Sequence, residues 1–143
     1  MKKVLILNGP NLNMVGIREC NIYGEESFED INLQIKNFSE KVGVKCDFYQ
    51  SNWEGALIDK IIEAKDKYDG LIINPGALAH YSYAIRDALA ILKIPCIEVH
   101  MSNINAREDF RKNSVISDVC AGQIIGFGKK VYTLAISALK GLF

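Results

Sequence analysis

Apolar positions along the 143-residue chain fall into two alternating kinds of run. Val4 to Asn8, Val44 to Tyr49, Gly70 to Asn74, Cys96 to His100 and a stretch around Cys120 to Gly126 are short and apolar, as in buried strands. Between them apolar residues recur at helical spacing. One such set is Phe28, Ile31, Ile35 and Phe38, and a second is Leu57, Ile58, Ile61 and Ile62. The alanine-rich segment from Ser82 to Lys93 is a third, a short helix is expected over Ala106 to Arg111, and a last helix from Lys129 carries Tyr132, Ala135, Leu139 and Leu142. Ser27, with Asp30 three residues on, predicts a helix start, and Gly43 predicts its end. Asn52 is expected to cap the second helix.

Five strands alternating with five helices predict a parallel sheet covered on both faces. At this length the natural α/β architecture is a flavodoxin-like three-layer sandwich, a five-stranded parallel sheet of strand order 2-1-3-4-5 forming a single domain over residues 1–143. One connection is out of scale. Residues 9–26 separate the first strand from the first helix, where two to six residues are typical. A long connection of this kind is usually a lid or binding loop.

Ligands of open parallel sheets bind outside the carboxyl ends of the strands, where strand order reverses. The loops after Asn8, Asn74 and His100 meet there. They hold both histidines, His80 and His100, and all four arginines (Arg18, Arg86, Arg107 and Arg111) lie in them or in the helices they open. The other thirteen basic residues are lysines, and none falls in residues 8–27, 74–82 or 100–111. Arginine binds planar oxyanions bidentately, so the segregation points to a small anionic ligand. Taken singly, each residue also has an ordinary structural reading. Asn8 and Asn74 can satisfy turns, Arg86, Asp87, Arg107 and Glu108 can be solvated helix charges, and Tyr23 can be a packing anchor. Glu98 and His100 alternate onto one face of their strand, which suits a structural pair as well as a catalytic one.

Composition excludes several classes. Seventeen basic and seventeen acidic residues give zero net charge, without the positive excess that nucleic-acid binding requires. No apolar run reaches the length of a membrane span, and Val4 to Leu7 is too short for a signal peptide, so a cytoplasmic protein is expected. The four cysteines (Cys20, Cys46, Cys96 and Cys120) form no CxxC pair or zinc spacing and read as reduced thiols. GxGxxG, a Walker loop, a hydroxyl-rich flavin phosphate loop, an acidic cluster and GxSxG are all missing after the first strand. Acid–base chemistry by tyrosine, histidine and arginine is left.

Four motifs in order carry a specific resemblance. They are Leu5-Ile-Leu-Asn-Gly-Pro-Asn-Leu-Asn13; Gly16-Ile-Arg-Glu19 with Ile22-Tyr-Gly24; Asn74-Pro-Gly-Ala-Leu-Ala-His-Tyr-Ser82; and Glu98-Val-His-Met-Ser-Asn103 leading to Arg107 and Arg111. From the first strand to the final helix the chain resembles the type II 3-dehydroquinate dehydratases. One departure is Cys20, where that family commonly has proline.

The resemblance implies a homododecamer of four trimers that uses neither cofactor nor metal. It implies dehydration of 3-dehydroquinate to 3-dehydroshikimate by anti elimination through an enolate, the third step of chorismate biosynthesis in the shikimate pathway. It makes Tyr23 the proton acceptor, His100 the proton donor and Arg18 a transition-state stabiliser, with Asn11 holding a water that faces the enolate. Asn74, His80, Asp87, Met101, Ser102 and Arg111 become substrate contacts, Asp87 in the site of a neighbouring subunit.

These roles are physically coherent. Free tyrosine has a pKa of about 10, and a nearby guanidinium favours the phenolate. Glu98 is expected to orient His100 or to strengthen its hold on a proton. Two alternatives stay open at this point. One is another cofactor-free lyase or isomerase acting on a hydroxy acid, and the other is a flavodoxin-like module without catalysis.

Overall fold

The computed structural model describes residues 1–17, 20–23 and 25–143, with backbone alone at Cys20 and Tyr23. In chain order its strands are β1 (Lys2–Asn8), β2 (Val44–Gln50), β3 (Gly70–Asn74), β4 (Cys96–His100) and β5 (Gly122–Ile125). The helices are α1 (Cys20–Tyr23), α2 (Phe28–Lys41), α3 (Glu54–Lys67), α4 (Tyr83–Ile91) and α5 (Lys130–Lys140). All strand pairs are parallel, in the order β2-β1-β3-β4-β5. This is the flavodoxin-like arrangement that the sequence predicts.

Strand periodicity divides the core in two. Val4 and Ile6 of β1 face one side, with Ile31 and Ile35 of α2 and Tyr132 and Ile136 of α5. Leu5 and Leu7 face the other, with Leu57 and Ile61 of α3 and Ile85 and Leu89 of α4. Each such side chain, removed from water, contributes about 1.5–3 kcal/mol. Ser27 caps α2 by accepting the Asp30 N–H at 3.1 Å, and Gly43 supplies the positive φ of 78° that turns the chain into β2.

Four local expectations are corrected. Asn52 does not cap α3. The cap position is Trp53, whose N–H is taken by Ser51 Oγ at 3.0 Å, while Asn52 Oδ1 accepts from the Asn11 N–H instead. Ala106 to Arg111 is not one helix but parts of two 3-10 turns, Ile104–Ala106 and Asp109–Lys112, because Arg107 and Glu108 between them are extended. Helix α4 ends at Ile91, where Leu92 becomes extended ahead of Pro95. Strand β5 is limited to Gly122–Ile125. Cys46 and Cys96 are buried free thiols and Cys120 a half-buried one. Among the described residues no helix is long and apolar enough to cross a membrane.

The exits of β1 and β3 lie unusually close together. The Gly9 N–H donates to the Asn74 carbonyl at 2.8 Å, and a Cβ on Gly9 would stand 2.5 Å from the Pro75 carbonyl oxygen. Only glycine fits without moving backbone. Gly9→Ala is therefore expected to lower stability by about 2 kcal/mol, as overpacking of a rigid neighbour does. A urea unfolding midpoint equal to wild type would contradict this close approach.

Candidate functional site

The strand exits are tied by a buried hydrogen-bond chain. From α5, the Tyr132 hydroxyl donates to Asn8 Oδ1 at 2.5 Å and accepts from Asn74 Nδ2 at 2.9 Å. Asn74 Oδ1 in turn accepts the Gly76 N–H at 3.3 Å and sets the turn after β3. Burial pushes the Tyr132 phenol far up, so it remains a neutral hydroxyl. Asn11 adopts the left-handed conformation (φ 69°) that asparagine tolerates, and its N–H is held by Asn52 Oδ1 at 3.0 Å.

At the end of β4 stands a buried acid–base pair. Glu98 is 0% exposed and His100 is 5% exposed, and the carboxylate accepts from His100 Nε2 at 2.6 Å. Ser114 Oγ lies 2.9 Å from both carboxylate oxygens. With Nε2 committed to Glu98, Nδ1 is the ring nitrogen left for another partner. His80 stacks on His100 at 6.0 Å between ring centroids and meets the Phe110 ring edge-on. Its Nδ1–H donates to the Asn113 carbonyl at 2.8 Å, because a carbonyl can only accept.

These groups line a small cleft of about 110 Å³ at the strand exits. Asn11, Asn74, His80, His100, Met101, Ser102 and Arg111, seven of the ten predicted site residues, are brought together there. Met101 and Ser102 are buried, and their carbonyls accept the Gly128 and Gly126 N–H groups, which fixes the β4 exit. Asp87 is not brought to this cleft and is exposed on α4. Arg18 lies outside the described residues, and Tyr23 is described only as backbone in α1.

Arg107, grouped by sequence with the strand-exit arginines but given no role in the reaction, lines the cleft, is 11% exposed and donates to Ser102 Oγ at 3.3 Å. Arg111 is 18% exposed and held by Glu108 at 3.1 Å. Ser114, Asn113 and Tyr132 act through side chains or carbonyls that no local spacing marks. Arg86, by contrast, turns away to Asp118 and the Val115 carbonyl.

Two guanidiniums at one strand exit suit a carboxylate. A carboxylate-backed imidazole suits proton transfer, and the cleft has room for one small molecule. Burial pushes the His80 imidazole below its ordinary 6.5; the Asn113 carbonyl opposes this, the neighbouring His100 and Arg111 add to the lowering, and Glu98 opposes it. The folded protein thus resists a proton that the unfolded chain accepts. Stability contributed at His80 is present above about pH 6.5 and declines as pH falls toward the folded value. An NMR titration is expected to place the His80 midpoint below 6.5, and a midpoint at or above it would contradict the neutral assignment.

Residues 2–140 match the family model of class II dehydroquinases. The 3-dehydroquinate dehydratase of Bacillus mycoides is 56% identical over 139 residues, covering 97% of this chain and 95% of its relative. That of Bacillus cereus is 57% identical with the same coverage. Among solved structures, the type II dehydroquinase of Butyrivibrio crossotus is 54% identical with a TM-score of 0.95, covering 97% of each chain. The type II dehydroquinase of Propionibacterium acnes is 42% identical with a TM-score of 0.96, covering 99% of this chain and 97% of the other. On this family match, and with this identity and shared fold, the chain belongs to the class II dehydroquinases, a family of hydro-lyases.

Proposed function

We propose that this protein dehydrates 3-dehydroquinate to 3-dehydroshikimate by anti elimination through an enolate. The carrying observation is the buried Glu98–His100 pair opening on a cleft that Arg107 and Arg111 also line. Tyr23 removes a proton alpha to the ketone, and the electron pair moves onto the carbonyl oxygen as an enolate. Arg18, five residues before Tyr23, favours the phenolate. Asn11 holds a water against the enolate oxygen. The enolate then reforms the ketone, the beta carbon–oxygen bond breaks, and His100 Nδ1 delivers its proton so that the hydroxyl leaves as water. Tyr23 ends protonated and His100 neutral, and the pair is reset through solvent. Nothing in this cycle calls for a cofactor or metal.

Asn74, His80 and Arg111 bind the substrate, with backbone and side chain at Met101 and Ser102 on its carboxylate. Asp87, exposed on α4 away from its own chain's cleft, serves a neighbouring subunit in a homododecamer of four trimers. We place the enzyme in the cytoplasm, in keeping with the free thiols of Cys46, Cys96 and Cys120.

The test is the ultraviolet absorbance of the conjugated enone product when chelator-treated protein meets 3-dehydroquinate. Wild type is expected to raise it, with Tyr23→Phe slower by about 10²–10⁴-fold, the usual contribution of a positioned base. Equal rates would remove Tyr23 as the base, and a flat trace from folded wild type would remove the substrate.

A further inference from the structure

Both histidines of the cleft are held by one short stretch that no strand or helix contains. Asn113 gives its carbonyl to His80 Nδ1 at 2.8 Å, and Ser114 gives its hydroxyl to Glu98 at 2.9 Å. The stretch is itself anchored. The Val115 N–H donates to the Ala79 carbonyl at 2.7 Å, the Val115 carbonyl accepts from Arg86 at 2.9 Å, and Ile116 is fully buried. The Ile116 N–H donates to Ser114 Oγ at 3.3 Å, which occupies the hydroxyl as an acceptor and leaves its proton for the carboxylate.

We propose that Ser114 is a positioning residue for the dehydration: its hydroxyl, by sharing the charge of Glu98, sets how tightly His100 holds the proton it must deliver. This rests on the reading of His100 as proton donor. Glu98 is wholly buried, so protein donors replace water around it. The Ser114 O–H and His100 Nε2–H are directed at the same carboxylate. A donor to the carboxylate stabilises the state in which Glu98 is charged and His100 neutral, the state left after the proton is delivered. Removing the hydroxyl concentrates charge on the oxygen facing His100, tightens the proton and makes the imidazolium a poorer acid. Other charged or titratable groups near the pair among the described residues are His80, from the turn after β3, Arg107 and Arg111, from the turns after β4, and the Cys96 thiol on β4 itself. A change from serine to alanine, threonine or cysteine at residue 114 removes none of these groups.

Ser114→Ala and Ser114→Thr are compared with wild type by two readouts. The first is the pH profile of turnover with 3-dehydroquinate, and the second is the ring nitrogen titration of His100 by NMR in the ligand-free protein. In Ser114→Ala, kcat is expected to fall about tenfold with KM little changed. The alkaline limb of the profile and the His100 titration both move to higher pH by about one unit, the scale of one charge-assisted hydrogen bond. Ser114→Thr, which keeps the hydroxyl, restores both. The Nδ1–H tautomer of His80, held by a backbone carbonyl, stays as in wild type. Should Ser114→Ala be too unstable to titrate, Ser114→Cys, close in shape but a weaker donor, moves the titration in the same direction.

A His100 titration that superimposes on wild type in the alanine or cysteine variant would overturn the proposal. So would loss of the His80 tautomer together with the His100 shift, which would mark collapse of the stretch. The titration needs no substrate and so judges Ser114 separately, whereas absence of turnover by wild type would count against the proposed function.

Discussion

A carboxylate with no surface in water must be met by donors from the protein, and Glu98 is such a group. Placing it costs several kcal/mol, offset only where its partners are fixed. The neighbourhood is arranged accordingly. His100 approaches from the same strand two residues on, because alternate strand residues share a face, and Ser114 approaches from a stretch anchored by Val115 and Ile116. The result is an imidazole with one nitrogen committed and the other available to the cleft.

The second requirement is that three strand exits come close enough to act on one small molecule. Backbone achieves most of this. Gly9 lets β1 and β3 approach to a distance that any Cβ would prevent, and Tyr132 joins Asn8 to Asn74 through one hydroxyl. Carbonyls of Met101 and Ser102 are taken by the Gly126–Gly128 turn, which fixes the β4 exit. A sheet with parallel strands offers this convergence at its carboxyl edge, and here buried polar contacts make it rigid.

Periodicity carried the fold. Short apolar runs and helical spacing gave every strand and all the longer helices, and the parallel order followed from their alternation. Boundaries failed where tertiary contacts overrode local signals. Asn52, a plausible cap, was drawn off by the Asn11 N–H, and the 106–111 segment broke into turns around extended Arg107 and Glu108. The cleft was legible where residue type and strand position coincide, as for Asn74, His100 and Glu98. Ser114 and Asn113 carried no such mark, since a serine and a carbonyl in a loop gain their roles only from what folds against them. Arg86 shows the converse: grouped with the site arginines by sequence, it pairs with Asp118 instead. Tyr132 read as a core residue and is one, and its hydroxyl is what the spacing could not show.

If His100 delivers a proton to the leaving hydroxyl while a base from the 9–26 loop works on the opposite face, the reaction has a fixed stereochemistry. The most direct measurement uses 3-dehydroquinate carrying deuterium at one of the two hydrogens alpha to the ketone, with the label followed into product by mass. Loss of the deuterium anti to the departing hydroxyl, with retention of the syn one, is the predicted result. Loss of the syn deuterium would place acid and base on one face and contradict the assignment of His100 and Tyr23 to opposite sides of the ring.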